Sequence, residues 1–291
     1  ASITIKIMTG RTAHLIHQSS ITVMADEQKI KFNHVYRTVD GIELKVHIYY
    51  PKDWKTGDKR AALVCYHGGG WVKGTPGHFG KQCQYFTREH GMVTMSFEYR
   101  LLKNKTKPAA NVNDCLSDTK AAYQWTFENA ADLGIDPSKI VLMGGSAGGH
   151  LAAATALCAN PETGSKSLPV EPYAMVLYNP VLDVPEFCGS NKNYATQAIA
   201  DITAPSPMHQ LSKTAPPTLV LHGTVDPVVP FATAQKFVDG LKALGVNASL
   251  IAYEGRKHGF FNAKKGQMED HQKSITDADA FLTGLGLLRA K

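Results

Sequence analysis

The chain is 291 residues long with 43% hydrophobic side chains, enough for a large core, and its apolar runs alternate with helical patterns without a linker, which favours one domain over two. A formal net charge of +6 comes from lysines that are dispersed, apart from Lys103, Lys105, Lys107 and the pair Lys264 and Lys265, so no nucleic-acid partner is expected. No apolar run approaches the roughly 20 residues that cross a bilayer, so no membrane partner is expected either.

Residues 1–31 are poorly patterned and read as an N-terminal extension to a domain over 32–291. Within them Thr22-Val-Met-Ala25 resembles the end of a secretory leader, although His14, His17 and Gln18 interrupt the apolar segment that should precede it. A non-native start is the other reading; location leans to secreted or periplasmic. Residues 33–39 and 42–50 alternate with period two around Asp40-Gly41, which predicts an antiparallel hairpin on a sheet edge.

Six near-continuous apolar runs follow, at 61–66, 92–97, 139–143, 173–178, 217–222 and 248–253. Strands of that composition are covered on both faces, as in a parallel sheet. Between them, residues 113–131 carry Leu116, Tyr123, Trp125 and Phe127 at helical spacing and should form a scaffold helix, with Asp114 and Asp118 as solvated or capping groups. The stretch 184–216, rich in Pro, Ser, Thr and Asn, reads as a small cap over the sheet.

Chemistry concentrates just past the strands. The first buried run leads into His67-Gly68-Gly69-Gly70-Trp71, whose glycine amides can approach a substrate carbonyl without side-chain obstruction. The third leads into Gly144-Gly145-Ser146-Ala147-Gly148-Gly149, a G-x-S-x-G placed where a strand must turn sharply into a helix, which makes Ser146 the candidate nucleophile. The fifth leads to Asp226 and the sixth to His258. A serine hydroxyl needs a base to take its proton, and an imidazole titrating near neutrality suits the task; an acid behind it fixes its tautomer. His258 is the expected base and Asp226 the expected acid, with Asp183 as its rival; His67, His150 and His222 read as structural. The amides of Gly69, Gly70 and Ala147 are the expected oxyanion donors, and Trp71 and Phe260 the expected substrate contacts. Pocket walls are expected from loops 72–82, 184–212 and 260–268.

The five cysteines, at 65, 83, 115, 158 and 188, show no C-x-x-C and read as ordinary thiols, while the twelve histidines contain no H-E-x-x-H. Neither a metal nor another cofactor is expected.

The order Ser146, Asp226, His258, together with H-G-G-G-W and G-G-S-A-G-G, resembles the α/β-hydrolase superfamily, in particular the hormone-sensitive-lipase-like carboxylesterases, over about residues 32 to 285. The stretches 223–230 and 254–262 look most like bacterial acetyl-esterase and acetyl-xylan-esterase-like proteins, some of which cleave feruloyl esters. One departure stands out: Tyr99-Arg100-Leu101 is followed by Leu102-Lys103-Asn104 where such esterases commonly have Ala-Pro-Glu. The resemblance implies an α/β-hydrolase fold, with a mostly parallel sheet, helices on both faces and an antiparallel N-terminal edge. It also implies a cofactor-free serine esterase for short acyl groups, such as those on plant polysaccharide, with a small-molecule or oligosaccharide ester as partner. Two alternatives are an amide-cleaving hydrolase using the same triad and a binding protein on the same scaffold.

Overall fold

The computed structural model describes residues 22–25, 28–102, 110–190 and 201–289. Strands β1 (Thr22–Ala25), β2 (Gln28–Val39) and β3 (Ile42–Pro51) open it, followed by β4 (Arg60–Tyr66), α1 (Gly80–His90) and β5 (Val93–Phe97). The middle of the chain supplies α2 (Val112–Glu128), α3 (Ala130–Leu133), β6 (Ile135–Gly145), α4 (Ala147–Leu157), β7 (Ala174–Tyr178) and α5 (Val184–Ser190). It closes with β8 (Thr218–Gly223), α6 (Phe231–Ala243), β9 (Ala248–Tyr253) and α7 (Met268–Gly284).

The nine strands form one sheet in the order β1-β2-β3-β5-β4-β6-β7-β8-β9. Pairing is antiparallel from β1 through β3 to β5 and parallel from β5 to β9. All six apolar runs are therefore the parallel strands. Because strand side chains alternate, each run feeds two cores. Val64, Leu142, Leu177 and Val220 face one layer with Leu116 and Tyr123 of α2, Leu151 of α4 and Phe237 of α6. Leu63, Val141, Val176 and Leu219 face the other, with Phe86 of α1 and Leu282 of α7.

Several expectations change. The hairpin lies one strand in from the edge, and residue 32 falls inside β2, which pairs with β3 from Gln28↔Pro51 onward and carries the buried Ile30 opposite Tyr49. The outer strand β1 is the stretch Thr22–Ala25 that was read as a leader end; residues 1–21, with His14, His17 and Gln18, lie outside the described residues. The helix expected over 113–131 starts from an Asn111 cap reciprocated by Asp114 and breaks at Asn129 before the short α3, which ends at Gly134 with φ 67°. Asp118 is neither solvated nor capping: fully buried, it pairs with Arg100 Nε at 2.8 Å and Arg37 Nη1 at 3.0 Å, tying α2 to the strand ends.

The 184–216 segment, read above as a small cap, brings Phe187 of α5 to the cavity at the carboxyl ends of the parallel strands. Its described part consists of α5 and residues 201–216, joined where Ser206 Oγ accepts from Val184 N at 3.1 Å; residues 191–200 are outside the described set.

Candidate active site

A cavity of about 600 Å³ opens at the carboxyl ends of the parallel strands, where a sheet of this kind leaves its crevice. Gly69, Gly70, Ser146 and His258 line it, with apolar walls from Val181, Phe187, Val228 and Phe261.

Ser146 sits at the strand-to-helix turn with φ 57° and ψ −122°, a region L-residues rarely occupy. The turn is held by Ser146 N donating to Tyr178 O at 2.9 Å and by Ser146 O accepting from His150 N at 2.9 Å. It also demands two residues without a Cβ. A methyl on Gly144 would overlap the carbonyl of Gly148, and one on Gly148 would overlap the carbonyl of Tyr66 at the end of β4. With α4 pressed against both strands, Ser146 Oγ is raised above the sheet beside the first turn of the helix, whose early amides have no intrahelical acceptor.

His258 Nε2 lies 2.9 Å from Ser146 Oγ, and His258 Nδ1 lies 2.7 Å from Asp226 Oδ2. With the Nδ1 proton donated to the carboxylate, Nε2 is left to accept from the serine. Asp226 is itself held on every side: Oδ1 accepts from Val228 N at 2.8 Å and Val229 N at 3.0 Å, and His222 Nε2 lies 3.3 Å from Oδ2. Burial alone would raise the Asp226 pKa, but the hydrogen bonds from His222, His258 and the Val229 amide outweigh it and hold the carboxyl well below the usual carboxylate range. The arrangement can pull a proton from Ser146 and store the resulting positive charge next to a fixed anion. Opposite the serine, Gly69 and Gly70 present N–H groups that donate to no described residue.

Residues 63–262 match a family described by its alpha/beta hydrolase fold. The chain belongs to this family. Esterase LipQ of Mycobacterium tuberculosis is 31% identical over 235 residues, covering 73% of this chain and 52% of that protein. Esterase LipC of the same organism is 30% identical over 218 residues, 68% of this chain and 52% of its own length. The chain thus spans about half the length of the curated relatives it matches. Among solved structures, the esterase Est2 of Thermogutta terrifontis with propionate bound is 38% identical, with a TM-score of 0.78 over 89% of this chain and 96% of that one.

Some site residues of this α/β hydrolase are not where the sequence suggests. Trp71 does not reach the cavity: it is fully buried, with φ 60° turning its ring inward, where Nε1 donates to His150 Nδ1 at 3.2 Å. His150 Nε2 in turn donates to Pro205 O at 2.7 Å, so this buried histidine joins the glycine loop, α4 and the described stretch 201–216. Phe260 is also buried, packed on Tyr253 at 4.2 Å; the phenyl rings at the cavity are its neighbour Phe261 and Phe187 of α5. Asp183 is occupied as the cap of α5, accepting from Glu186 N at 3.0 Å. Ala147 follows the serine as the first residue of α4. Asn179 escaped the sequence reading: Oδ1 accepts from Gly259 N at 3.1 Å, and Nδ2 lies 3.5 Å from His258 Nε2. Its position directly after a buried strand, as for Ser146, was the available signal. Among the described residues no group of three or more His, Cys, Asp or Glu could hold a metal ion, and no helix is long and apolar enough to cross a membrane.

Burial pushes both His67 and His150 down to about 4 from 6.5. The folded chain therefore binds fewer protons than the unfolded chain between those values. Stability is complete above pH 6.5 and drains as pH falls toward 4, by roughly 3 kcal/mol per histidine. Urea midpoints measured from pH 7.5 to 4.5 should drop steeply below 6.5; a flat profile would contradict the burial of these rings.

Proposed function

We propose that this chain is a serine carboxylesterase acting on short acyl esters. One observation carries the reading: the unbroken hydrogen-bonded run from Ser146 Oγ through both nitrogens of His258 to a buried, ionised Asp226. In the reaction, Ser146 Oγ attacks the ester carbonyl carbon while its proton passes to His258 Nε2. The carbonyl oxygen becomes an oxyanion against the amides of Gly69, Gly70 and Ala147, where losing one donor typically costs about 3 kcal/mol. His258 then hands the proton to the departing alcohol oxygen as the tetrahedral carbon collapses to an acyl-serine. Water, deprotonated by the same imidazole, attacks the acyl carbon, and collapse frees the carboxylic acid and restores the serine hydroxyl. Asp226 keeps the Nδ1 proton in place throughout and offsets the imidazolium charge.

The names of the relatives support this reading, and so do solved states of the Thermogutta terrifontis esterase, which include a form phosphorylated by paraoxon and forms with propionate or butyrate bound. Short acyl groups fit a cavity of about 600 Å³ that must also hold the alcohol. The likeness of 223–230 and 254–262 to acetyl-xylan-esterase-like proteins extends the proposal to acetyl esters of xylan.

A fluorophosphonate probe should label Ser146 and no other serine. Across nitrophenyl esters from C2 to C16, kcat/KM should peak at C6 or below and fall at least tenfold by C16. A maximum at C16 would move the protein to the lipases. Acetate release from acetylated xylan tests the finer substrate, and its absence alongside rapid acetate release from nitrophenyl acetate would remove the polysaccharide.

A further inference from the structure

His78, in a short 3₁₀ helix (Pro76–Phe79) after the glycines, is set between the two halves of the proposed catalytic apparatus. Its Nδ1 accepts from the backbone N–H of Gly68 at 3.0 Å, the residue immediately before the two proposed oxyanion glycines. Its Nε2 lies 2.5 Å from Asn262 Oδ1 and donates to it. Asn262 in turn donates through Nδ2 to Gly259 O at 2.8 Å, on the residue immediately after His258, and the Asn262 amide donates to the same carbonyl at 3.1 Å. The ring packs against both Phe79 and Phe261, at 5.1 and 5.6 Å, in a cluster in which those two rings also stack on each other. An unbroken chain of three side-chain hydrogen bonds therefore runs from the loop on one side of Ser146 to the loop on the other, and His78 and Asn262 both line the cavity.

We propose that His78 is a positioning residue for ester hydrolysis. As a neutral imidazole it holds the glycine loop in register with the loop that carries His258. The inference rests on the serine-esterase reading above. Direction matters in this chain. A backbone N–H can only donate, so Nδ1 must be an acceptor, and the Asn262 amide is oriented by Gly259 O so that its oxygen faces Nε2–H. One tautomer alone satisfies both ends. A second proton on Nδ1 would face the Gly68 N–H and leave two donors opposed, so the loop must swing away or the proton must stay off. The surroundings keep it off: burial lowers the His78 pKa, the Asn262 hydrogen bond works against this, and the charge of Lys264 lowers it further. The other titratable groups that face it are His67, whose own pKa it depresses, and, around the shared cavity, Lys73 and His258.

The test uses the full chain and nitrophenyl butyrate. His78→Phe removes acceptor and donor while keeping an apolar ring, and kcat should fall 10- to 100-fold with KM within threefold, because an oxyanion donor moved off its line is felt only in the transition state. His78→Asn places an amide oxygen where Nδ1 was but reaches no further, so it keeps the Gly68 contact, loses the Asn262 link, and should have a kcat between those of wild type and His78→Phe. Asn262→Leu breaks that same link and should resemble His78→Asn, and combining it with His78→Phe should cost no more than His78→Phe alone, since they break one chain. The pH profile separates positioning from mere packing. Over the range where tryptophan fluorescence reports a folded chain, the acid limb of wild-type kcat should steepen from one proton toward two, the second belonging to His78, whereas His78→Asn should stay at one. If His78→Phe does not fold, the matching kcat losses of His78→Asn and Asn262→Leu and the single-proton limb of His78→Asn decide. Unchanged kcat in both variants, a loss confined to KM, additive losses, or a two-proton limb in His78→Asn would each overturn the inference. An inactive wild type that also resists a fluorophosphonate would fail the esterase reading and this inference with it; an active wild type with unaffected variants fails this inference alone.

Discussion

Replacing Ser146 by alanine is expected to cut ester turnover by on the order of a million-fold while leaving the chain folded. The size of the loss follows from the proposed role of the hydroxyl: among the described residues lining the cavity, Ser146 is the one whose hydroxyl is hydrogen-bonded to an imidazole, and without it what remains is binding and the proposed oxyanion donors. The survival of the fold follows from the geometry of the turn. The strained φ of 57° is imposed on the backbone by the packing of α4 and the hydrogen bonds to Tyr178 and His150, and alanine keeps the same Cβ in the same place. Only one hydrogen bond disappears, and its partner His258 is partly open to water, with 21% of its side chain accessible. Circular dichroism and melting should match the parent within a few degrees; turnover within tenfold of the parent would remove Ser146 from the mechanism.

The second large effect is expected from Asp226→Asn, at about ten-thousand-fold in turnover. The amide fits the space, and its oxygen can still accept from Val228 and Val229. Its NH2 group must then occupy the position of Oδ2, 2.7 Å from His258 Nδ1, where it donates instead of accepting. The imidazole answers by moving its proton to Nε2, the atom that has to be bare to receive the serine proton. The same NH2 also meets His222 Nε2 at 3.3 Å, donor against donor. Asp183→Asn serves as the control, since Asp183 is engaged with α5; a loss there in place of Asp226 would show the acid to be misassigned.

The sheet was legible because all six parallel strands announce themselves as apolar runs, a direct imprint of burial on both faces. The three residues proposed as the triad could be picked out for a related reason: in this architecture functional groups sit on loops that leave strand ends, so a reader who finds the strands knows where to look, and 2.9 and 2.7 Å contacts join the three residues found there. What was hidden depends on the direction of a side chain within a loop. Trp71 was placed in the pocket because it follows the glycines, yet its positive φ reverses its outlook. Phe260 and Phe261 are adjacent and aim apart, and nothing in the letters says which ring faces substrate. His78 and Asn262 stand 184 residues apart, and Arg37 and Asp118 meet only because β2 and α2 are brought together by the rest of the fold. Such pairs leave no local pattern.

The tightness of the elbow bears on how this lineage can change. In the proposed mechanism Ser146 contributes chemistry but little to the architecture, so a descendant recruited to another task could shed it in one mutational step and remain folded. Gly144 and Gly148 contribute no chemistry, yet a single methyl on either drives backbone into backbone between β4, β6 and α4. Loss of catalysis and loss of the motif are therefore uncoupled: a retired member of this lineage should be recognisable by glycines that still flank a missing serine.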